Sequence, residues 1–120
     1  MKNTSRTIAL AALLAAPALL FASGAQAHAH LLKANPGENA AVPAPKAIHL
    51  EFSEKLEAKF SAVELMKADG ASVAVTSKAA GNAIDGALEA PLAPGGYMVM
   101  WHVVSTDGHK MKGQYNFTVR

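Results

Sequence analysis

The sequence predicts a small all-β domain, an antiparallel β-sandwich or barrel of six or seven strands. Three observations predict it: short apolar runs that alternate with polar residues, turn residues between these runs, and weak helical periodicity throughout. With 120 residues the chain holds one domain at most. Residues 54–60 have room for a single helical turn.

The first strands are predicted from alternation over residues 48–52 and again at Val63 and Leu65. In residues 48–52 the apolar side chains that should face the core are Ile48, Leu50 and Phe52. The turn residues at 68–70 end the second of these strands. A short strand with Val73 and Val75 should follow.

The middle of the chain carries a weaker strand signal. Residues 76–90 are small and polar, which predicts a loop with a weak strand near 84–88. The Pro and Gly residues of 91–96 predict a turn before the next strand.

The strongest strand signal is at 97–104, where one face should be Tyr97, Val99, Trp101 and Val103. A loop over 105–113 leads to the final strand, whose inward face should be Tyr115, Phe117 and Val119. The aromatic core is predicted to consist of Phe52, Phe60, Tyr97, Trp101 and Phe117.

Composition excludes several classes of function. The chain has no cysteine, which excludes a disulfide scaffold, thiolate zinc and iron–sulfur sites and a cysteine nucleophile. Because Lys2 and Arg6 are the only basic residues in 1–27, the remaining chain is near neutral. We therefore expect no nucleic-acid binding.

Residues 1–27 have the pattern of a secretory signal peptide. Lys2 and Arg6 precede an uncharged run over 8–21, which is too short to cross a bilayer core of about 30 Å. Ala25-Gln26-Ala27 is a cleavage signal. We expect a periplasmic protein of residues 28–120, although cleavage after Ala29 also fits the pattern. Either cut makes a histidine the first residue.

Asp107-Gly108-His109 is the candidate metal-binding motif. In an extended loop, residues i and i+2 project to the same side, so this carboxylate and this imidazole can converge on one ion. A turn with a surface histidine is the alternative. A processed N-terminal His28 adds an amine and an imidazole, and a tetragonal set of nitrogen and oxygen ligands favours Cu(II).

Several motifs together resemble the CopC family of periplasmic copper-resistance and copper-homeostasis proteins. They are His28-Ala29-His30-Leu31, Asn35-Pro36, Leu50-Glu51-Phe52-Ser53-Glu54, Pro91-Leu92-x-Pro94-Gly95-x-Tyr97, Trp101-His102-Val103-Val104-Ser105-x-Asp107-Gly108-His109 and Gly113-x-x-x-Phe117. The resemblance covers nearly all of the chain after residue 27. It implies a Greek-key β-barrel similar to cupredoxins and immunoglobulin-like sandwiches.

The resemblance also implies one Cu(II) ion per chain, bound by the amine and imidazole of His28, the imidazole of His109 and the carboxylate of Asp107. It implies a carrier or buffer in copper homeostasis, with a separate inner-membrane CopD-type transporter as partner. A monomer is expected.

Other side chains leave alternatives open. His30, as the third residue of a free N-terminus, completes a Cu(II) motif that competes with the His28 arrangement for the same amine. Glu54 is either an outer acceptor for a ligating imidazole or a solvated turn charge. His49 is interpreted as a surface residue beside Glu51.

The positions of the methionines differ from those in some members of the family. Residues 67–82 contain none, so the Cu(I) loop of some members should be absent. Met98, Met100 and His102 should share one outer face, where thioethers and imidazole would suit Cu(I), or the methionines fill gaps.

Two other functional classes remain as alternatives. One is a copper oxygenase that uses the same N-terminal histidine arrangement. The other is a metal-free immunoglobulin-like interaction domain, whose stability copper would not change. The small domain and a ligating Asp107 argue against an enzyme.

Overall fold

The computed structural model describes residues 30–120 and confirms the all-β prediction. The signal-peptide interpretation, both cleavage positions and His28 lie outside the described residues. Within these residues there are nine strands and one 3₁₀ turn: β1 Leu31–Asn35, β2 Ala41–Val42, β3 Ala47–Phe52, the 3₁₀ turn Ala58–Phe60, β4 Ala62–Lys67, β5 Ser72–Val73, β6 Val75–Ala80, β7 Ala83–Leu88, β8 Gly95–Val104 and β9 Lys110–Val119.

The strands form two sheets that pack as a sandwich. The four-stranded sheet has the order β1-β3-β7-β6, and the five-stranded sheet has the order β2-β9-β8-β4-β5. The pairing between β2 and β9 is parallel, whereas the other pairs are antiparallel. Among residues 30–120 the structure has no helix that is long and apolar enough to cross a membrane.

The core lies between the sheets and follows the predicted alternation. Every second residue of β3, β8 and β9 is buried or packs against the core: Ile48, Leu50, Phe52, Tyr97, Val99, Trp101, Val103, Tyr115, Phe117 and Val119. The Trp101 ring lies 6.2 Å from that of Phe52 and 6.1 Å from that of Tyr115, centroid to centroid. Strand alternation thus places the aromatic side chains of both sheets in one core.

The aromatic prediction is wrong for Phe60, which is 61% exposed. It ends the 3₁₀ turn between β3 and β4, where the period-two alternation does not apply. Its side chain therefore points away from the core although its residue type favours burial.

The predicted loop over 76–90 is also wrong in its first part, because β6 and β7 form a hairpin there. Small residues serve close packing in this hairpin. A Cβ atom added to Gly86 would lie 2.8 Å from Cγ1 of Val75 and 2.9 Å from Cγ1 of Val63. The loop after β8 is shorter than predicted, since residues 110–113 pair with β8.

His49 lies on the outer face of the four-stranded sheet, and its side chain is 41% exposed. Its Nδ1 is 2.5 Å from Oδ1 of Asp85, and its Nε2 is 3.3 Å from Oε2 of Glu51. The hydrogen bond with Asp85 raises the pKa of His49 above its usual value, against an opposing effect of burial. The surface interpretation omitted Asp85, which faces His49 across the strands.

The two sheets are also joined by Tyr115, whose hydroxyl donates a hydrogen bond of 2.7 Å to the carbonyl of Pro36. Burial raises the pKa of Tyr115 to about 12, so the phenol keeps this proton. The bond fixes the end of β1 against β9.

Gly113 is expected to be indispensable for the packing of Trp101. The two residues pair across β8 and β9, and a Cβ atom on Gly113 would lie 2.2 Å from Cζ2 of Trp101. Gly113→Ala should lower the free energy of unfolding by about 1–3 kcal/mol and shift the tryptophan emission. Gly37→Ala is the matched control, because the nearest atom there is 3.7 Å away. Equal stability of the two variants in urea unfolding would refute this account.

His49 should make stability depend on pH. Because its folded pKa is raised, its ion pairs stabilise the fold fully below its unfolded pKa of about 6.5, and this contribution is lost as pH rises through the folded value. His49→Asn should therefore lower Tm more at about pH 5.5 than at about pH 8. Asp85→Asn should reduce this pH-dependent difference, and an equal Tm loss at both pH values would contradict the prediction.

Candidate metal centre

The loop of residues 105–109 joins β8 to β9 and is closed by its own backbone. The amide of Ser105 donates to the carbonyl of His109 over 3.0 Å, and the amide of Gly108 donates to the carbonyl of Ser105 over 2.8 Å. Gly108 has φ +90°, a value that glycine adopts without strain. The register pair of Val104 and Lys110 fixes the two ends of the loop.

Asp107 is held on both carboxylate oxygens. The hydroxyl of the buried Ser105 donates a short hydrogen bond to Oδ1, and the amide of His109 lies 3.4 Å from the same oxygen. Oδ2 lies 2.9 Å from Nδ1 of His109. These contacts, with that of Ser105 the largest, lower the pKa of Asp107 to about 2. The carboxylate is therefore ionised throughout the physiological pH range.

The same contacts orient the imidazole of His109. Nδ1 of His109 and Oδ2 of Asp107 face each other over 2.9 Å, a separation at which one ion can contact both atoms. Both side chains are 46% exposed, so an ion can reach them from solvent. The structure thus brings Asp107 and His109 together, as the i and i+2 spacing predicts.

The beginning of the described chain lies at the same end of the sandwich. His30 directly precedes β1 and is exposed. Its amide donates to Oγ of Ser53 over 2.8 Å, and its carbonyl accepts from the amide of Ser53 over 2.8 Å. This pair of hydrogen bonds fixes the backbone of His30 beside the end of β3.

Residues 54–57 connect this chain start to the 105–109 loop. The carbonyl of Lys55 accepts from the amide of Thr106 over 3.0 Å, and the amide of Glu57 donates to the carbonyl of Val104 over 2.7 Å. Leu56 is buried and forms an isolated β-bridge with Ser105. Residues 54–57 therefore form a short, anchored segment that sets the positions of both His30 and the loop.

The other predicted side chains lie around this end without joining the Asp107–His109 pair. Glu54 is exposed in the turn after β3. Within residues 30–120, no three His, Asp or Glu side chains are grouped closely enough to hold a metal. His28, the remaining predicted ligand, precedes the described residues.

A groove of about 540 Å³ begins where the loop ends, between Val104 and Lys110. Its lining combines apolar and basic side chains, which include the exposed Phe60, Met111, Lys59 and Lys112. Sequence reasoning missed this groove because it placed Phe60 in the core.

Sequence reasoning also missed the part that Ser105 plays. The residue belongs to the motif that ends in Asp107 and His109, and a hydroxyl two residues before a carboxylate in a tight turn was the available signal. In the structure this buried hydroxyl is the largest cause of the lowered pKa of Asp107.

Known proteins resemble this chain over nearly its whole length. The model of the CopC domain matches residues 31–120. The chain is 38% identical to "Protein YobA" of Escherichia coli K12 over 125 residues, which covers 100% of both chains. It is 39% identical to "Copper resistance protein C" of Xanthomonas campestris pv. juglandis over 124 residues, covering 96% of this chain and 97% of that protein.

The crystal structure of PcoC, described as a methionine-rich copper resistance protein from Escherichia coli, is similar to this fold. Its TM-score is 0.73 at 36% identity, and the match covers 78% of this chain and 100% of PcoC. The family model, the full-length relatives and the shared sandwich agree with the resemblance stated from the sequence motifs. This chain belongs to the CopC family.

Proposed function

We propose that this protein is a periplasmic Cu(II) carrier or buffer in copper homeostasis and resistance. One observation carries the proposal: an ionised Asp107 holds the imidazole of His109 in an exposed loop at the end of the sandwich where the described chain begins. The names of the relatives support copper as the cargo.

The proposed ligands are the amine and imidazole of His28, the imidazole of His109 and the carboxylate of Asp107, for one ion per chain. His28 precedes His30 by two residues, which reach at most about 7 Å. His30 is itself fixed beside Ser53, at the end of the sandwich that carries the loop. Three nitrogens and one carboxylate oxygen suit the tetragonal preference of Cu(II).

Capture and release follow from the protonation of these ligands. The carboxylate of Asp107 is already ionised, so binding takes no proton from it. The amine and the imidazoles must be neutral to bind, so acid releases the ion. The hydrogen bonds that orient the loop exist before binding, which lowers the entropy that the ion must offset.

We infer a carrier rather than an enzyme, since a ligating Asp107 would occupy a position that an oxygen-activating copper site needs open. We also infer that residues 1–27 direct export and that a separate inner-membrane CopD-type transporter exchanges the ion. The exposed ligands and the adjoining groove give such a partner access to the ion.

The ligand set is tested by titrating the processed protein with Cu(II) against a competing chelator, after its first residue is confirmed by mass spectrometry. His109→Ala should weaken binding at least about 100-fold, because a nitrogen ligand is lost. One residue added before His28 should do the same, because the amine no longer chelates with that imidazole.

His49→Ala is the matched control for these titrations, because it removes a histidine from the outer face of a sheet. It should leave Cu(II) affinity unchanged. Affinity that survives His109→Ala but collapses in His30→Ala would move the ion to the N-terminal tripeptide. No tight binding by the unmodified protein would favour the metal-free interaction domain.

We expect Ser105 to influence the Cu(II) affinity of the loop through the pKa and orientation of Asp107. Ser105→Ala removes the hydrogen bond that contributes most to the lowered pKa of Asp107, so this pKa should rise toward its ordinary value. Cu(II) affinity at neutral pH should fall by about 10-fold, because the carboxylate and the imidazole lose their orientation. A titration of the Asp107 carboxyl carbon by NMR measures the pKa directly.

Thr106→Ala is the control for Ser105→Ala, since Thr106 is exposed in the same loop and is held through its amide. It should leave both the pKa and the affinity unchanged. An unaltered pKa of Asp107 in Ser105→Ala would show that the hydroxyl does not govern this carboxylate.

A further inference from the structure

The groove that adjoins the candidate metal loop is formed by three elements that meet at one end of the sandwich. It is lined by the last two residues of the 3₁₀ turn, by residues 102–104 at the end of β8 and by residues 110–112 at the start of β9. The amide of Glu57 donates to the carbonyl of Val104 over 2.7 Å, which holds the turn against β8. The walls of the groove therefore stand on anchored backbone.

Phe60 is the apolar side chain that distinguishes this groove. It is 61% exposed, and Leu32 is the only other large apolar side chain exposed among residues 30–120. A single exposed apolar side chain is ordinary on a protein surface, but this one lines a concave site. Val104 and Met111, which are half-buried, line the same site. A ligand that filled the groove would thus cover a phenyl ring and two aliphatic neighbours, and rings in such positions contribute much of the binding free energy of interfaces.

Three exposed lysines belong to the same lining: Lys59, Lys110 and Lys112. No Asp or Glu side chain belongs to it, and the neighbouring carboxylates of Glu57 and Asp107 lie outside it. The chain after residue 27 is near neutral as a whole, so this clustering of one sign of charge is local. It gives the groove a positive potential that attracts carboxylates.

These features fit a segment of another protein better than a bilayer. Protein interfaces combine an apolar centre with a charged rim, and opposite charges on the partner provide specificity. The volume of about 540 Å³ lies in the range of sites that enclose small ligands, so the groove can accept side chains of a partner. A bilayer surface is flat on this scale, and it would contact the lysines but not the half-buried Val104 and Met111.

We propose that this groove docks an acidic segment of a partner protein, in which carboxylates flank an apolar side chain. The apolar side chain packs on Phe60, and the carboxylates pair with the surrounding lysines. Val104 and Lys110 line the groove and also fix the ends of the loop, so the docked segment lies beside Asp107 and His109. This docking site depends on the proposed function only in that the docked protein gives or takes the copper ion.

The experiment uses short random peptides displayed on phage, which are selected on the metal-free processed protein. The selected peptides should combine Asp or Glu with a large apolar residue. Added to the isotope-labelled protein, they should shift the amide resonances of residues 102–104 and 110–112 and saturate at one peptide per chain. The same shifts should occur in His109→Ala, so a failure of Cu(II) binding and a failure of peptide docking are separate results.

Substitutions at exposed positions separate the apolar contribution from that of charge. Phe60→Ala and Lys112→Glu should each weaken peptide binding by about 10-fold or more, because the first removes the apolar contact and the second reverses a charge. Leu32→Ala and Lys46→Glu are the matched controls, since both residues are exposed and lie outside the groove. They should bind the peptides like the unmodified protein. Phe60→Ala should also leave Cu(II) affinity unchanged.

Peptide binding that weakens at about 1 M salt, where charges are screened beyond about 3 Å, would support the role of the lysines. Selection of no peptides, selection of peptides without acidic residues, or affinity that is insensitive to Phe60→Ala would each overturn the proposal. An equal loss of affinity in Leu32→Ala would do the same. Binding to vesicles of phosphatidylglycerol and phosphatidylcholine without selection of acidic peptides would assign the groove to a membrane surface instead.

Discussion

The alternation of core and surface side chains along β8 determines both the packing of the sandwich and the position of the candidate site. Its inward residues Tyr97, Val99 and Val103 fill the core, and Trp101 packs against aromatic rings of both sheets. Because the period of a strand is two, the residues between them must face outward, and a slip of one residue would exchange the two sets. The same register fixes where β8 ends, and therefore where the loop of Asp107 and His109 begins.

The candidate Cu(II) site combines exposed ligands with a buried, anchored backbone. Its described side chains, Asp107 and His109, are exposed, yet the buried Ser105 and Leu56 anchor the backbone beneath them. The buried residues fix the orientation of the side chains, and the exposure of these side chains leaves them accessible to an ion. Exchange of an ion there would not require the core to open, which fits the proposed role as a copper carrier.

Sequence reasoning predicted the parts of the fold that depend on local pattern. Alternation located β3, β8 and β9, and the i and i+2 spacing placed Asp107 beside His109. It failed where the decisive neighbour is distant in sequence, as for Asp85, which faces His49 across β3 and β7. The prediction for Phe60 failed for a local reason. Its hydrophobicity favoured the core, but the 3₁₀ turn that it ends directs the side chain outward.

The short strands β2 and β5 have a consequence for solubility. They form the two edges of the five-stranded sheet, and each is two residues long. A long exposed edge offers a row of unpaired amides and carbonyls to which a strand of another molecule can add. Edges this short offer few such groups, so the five-stranded sheet presents little template for growth from one molecule to the next.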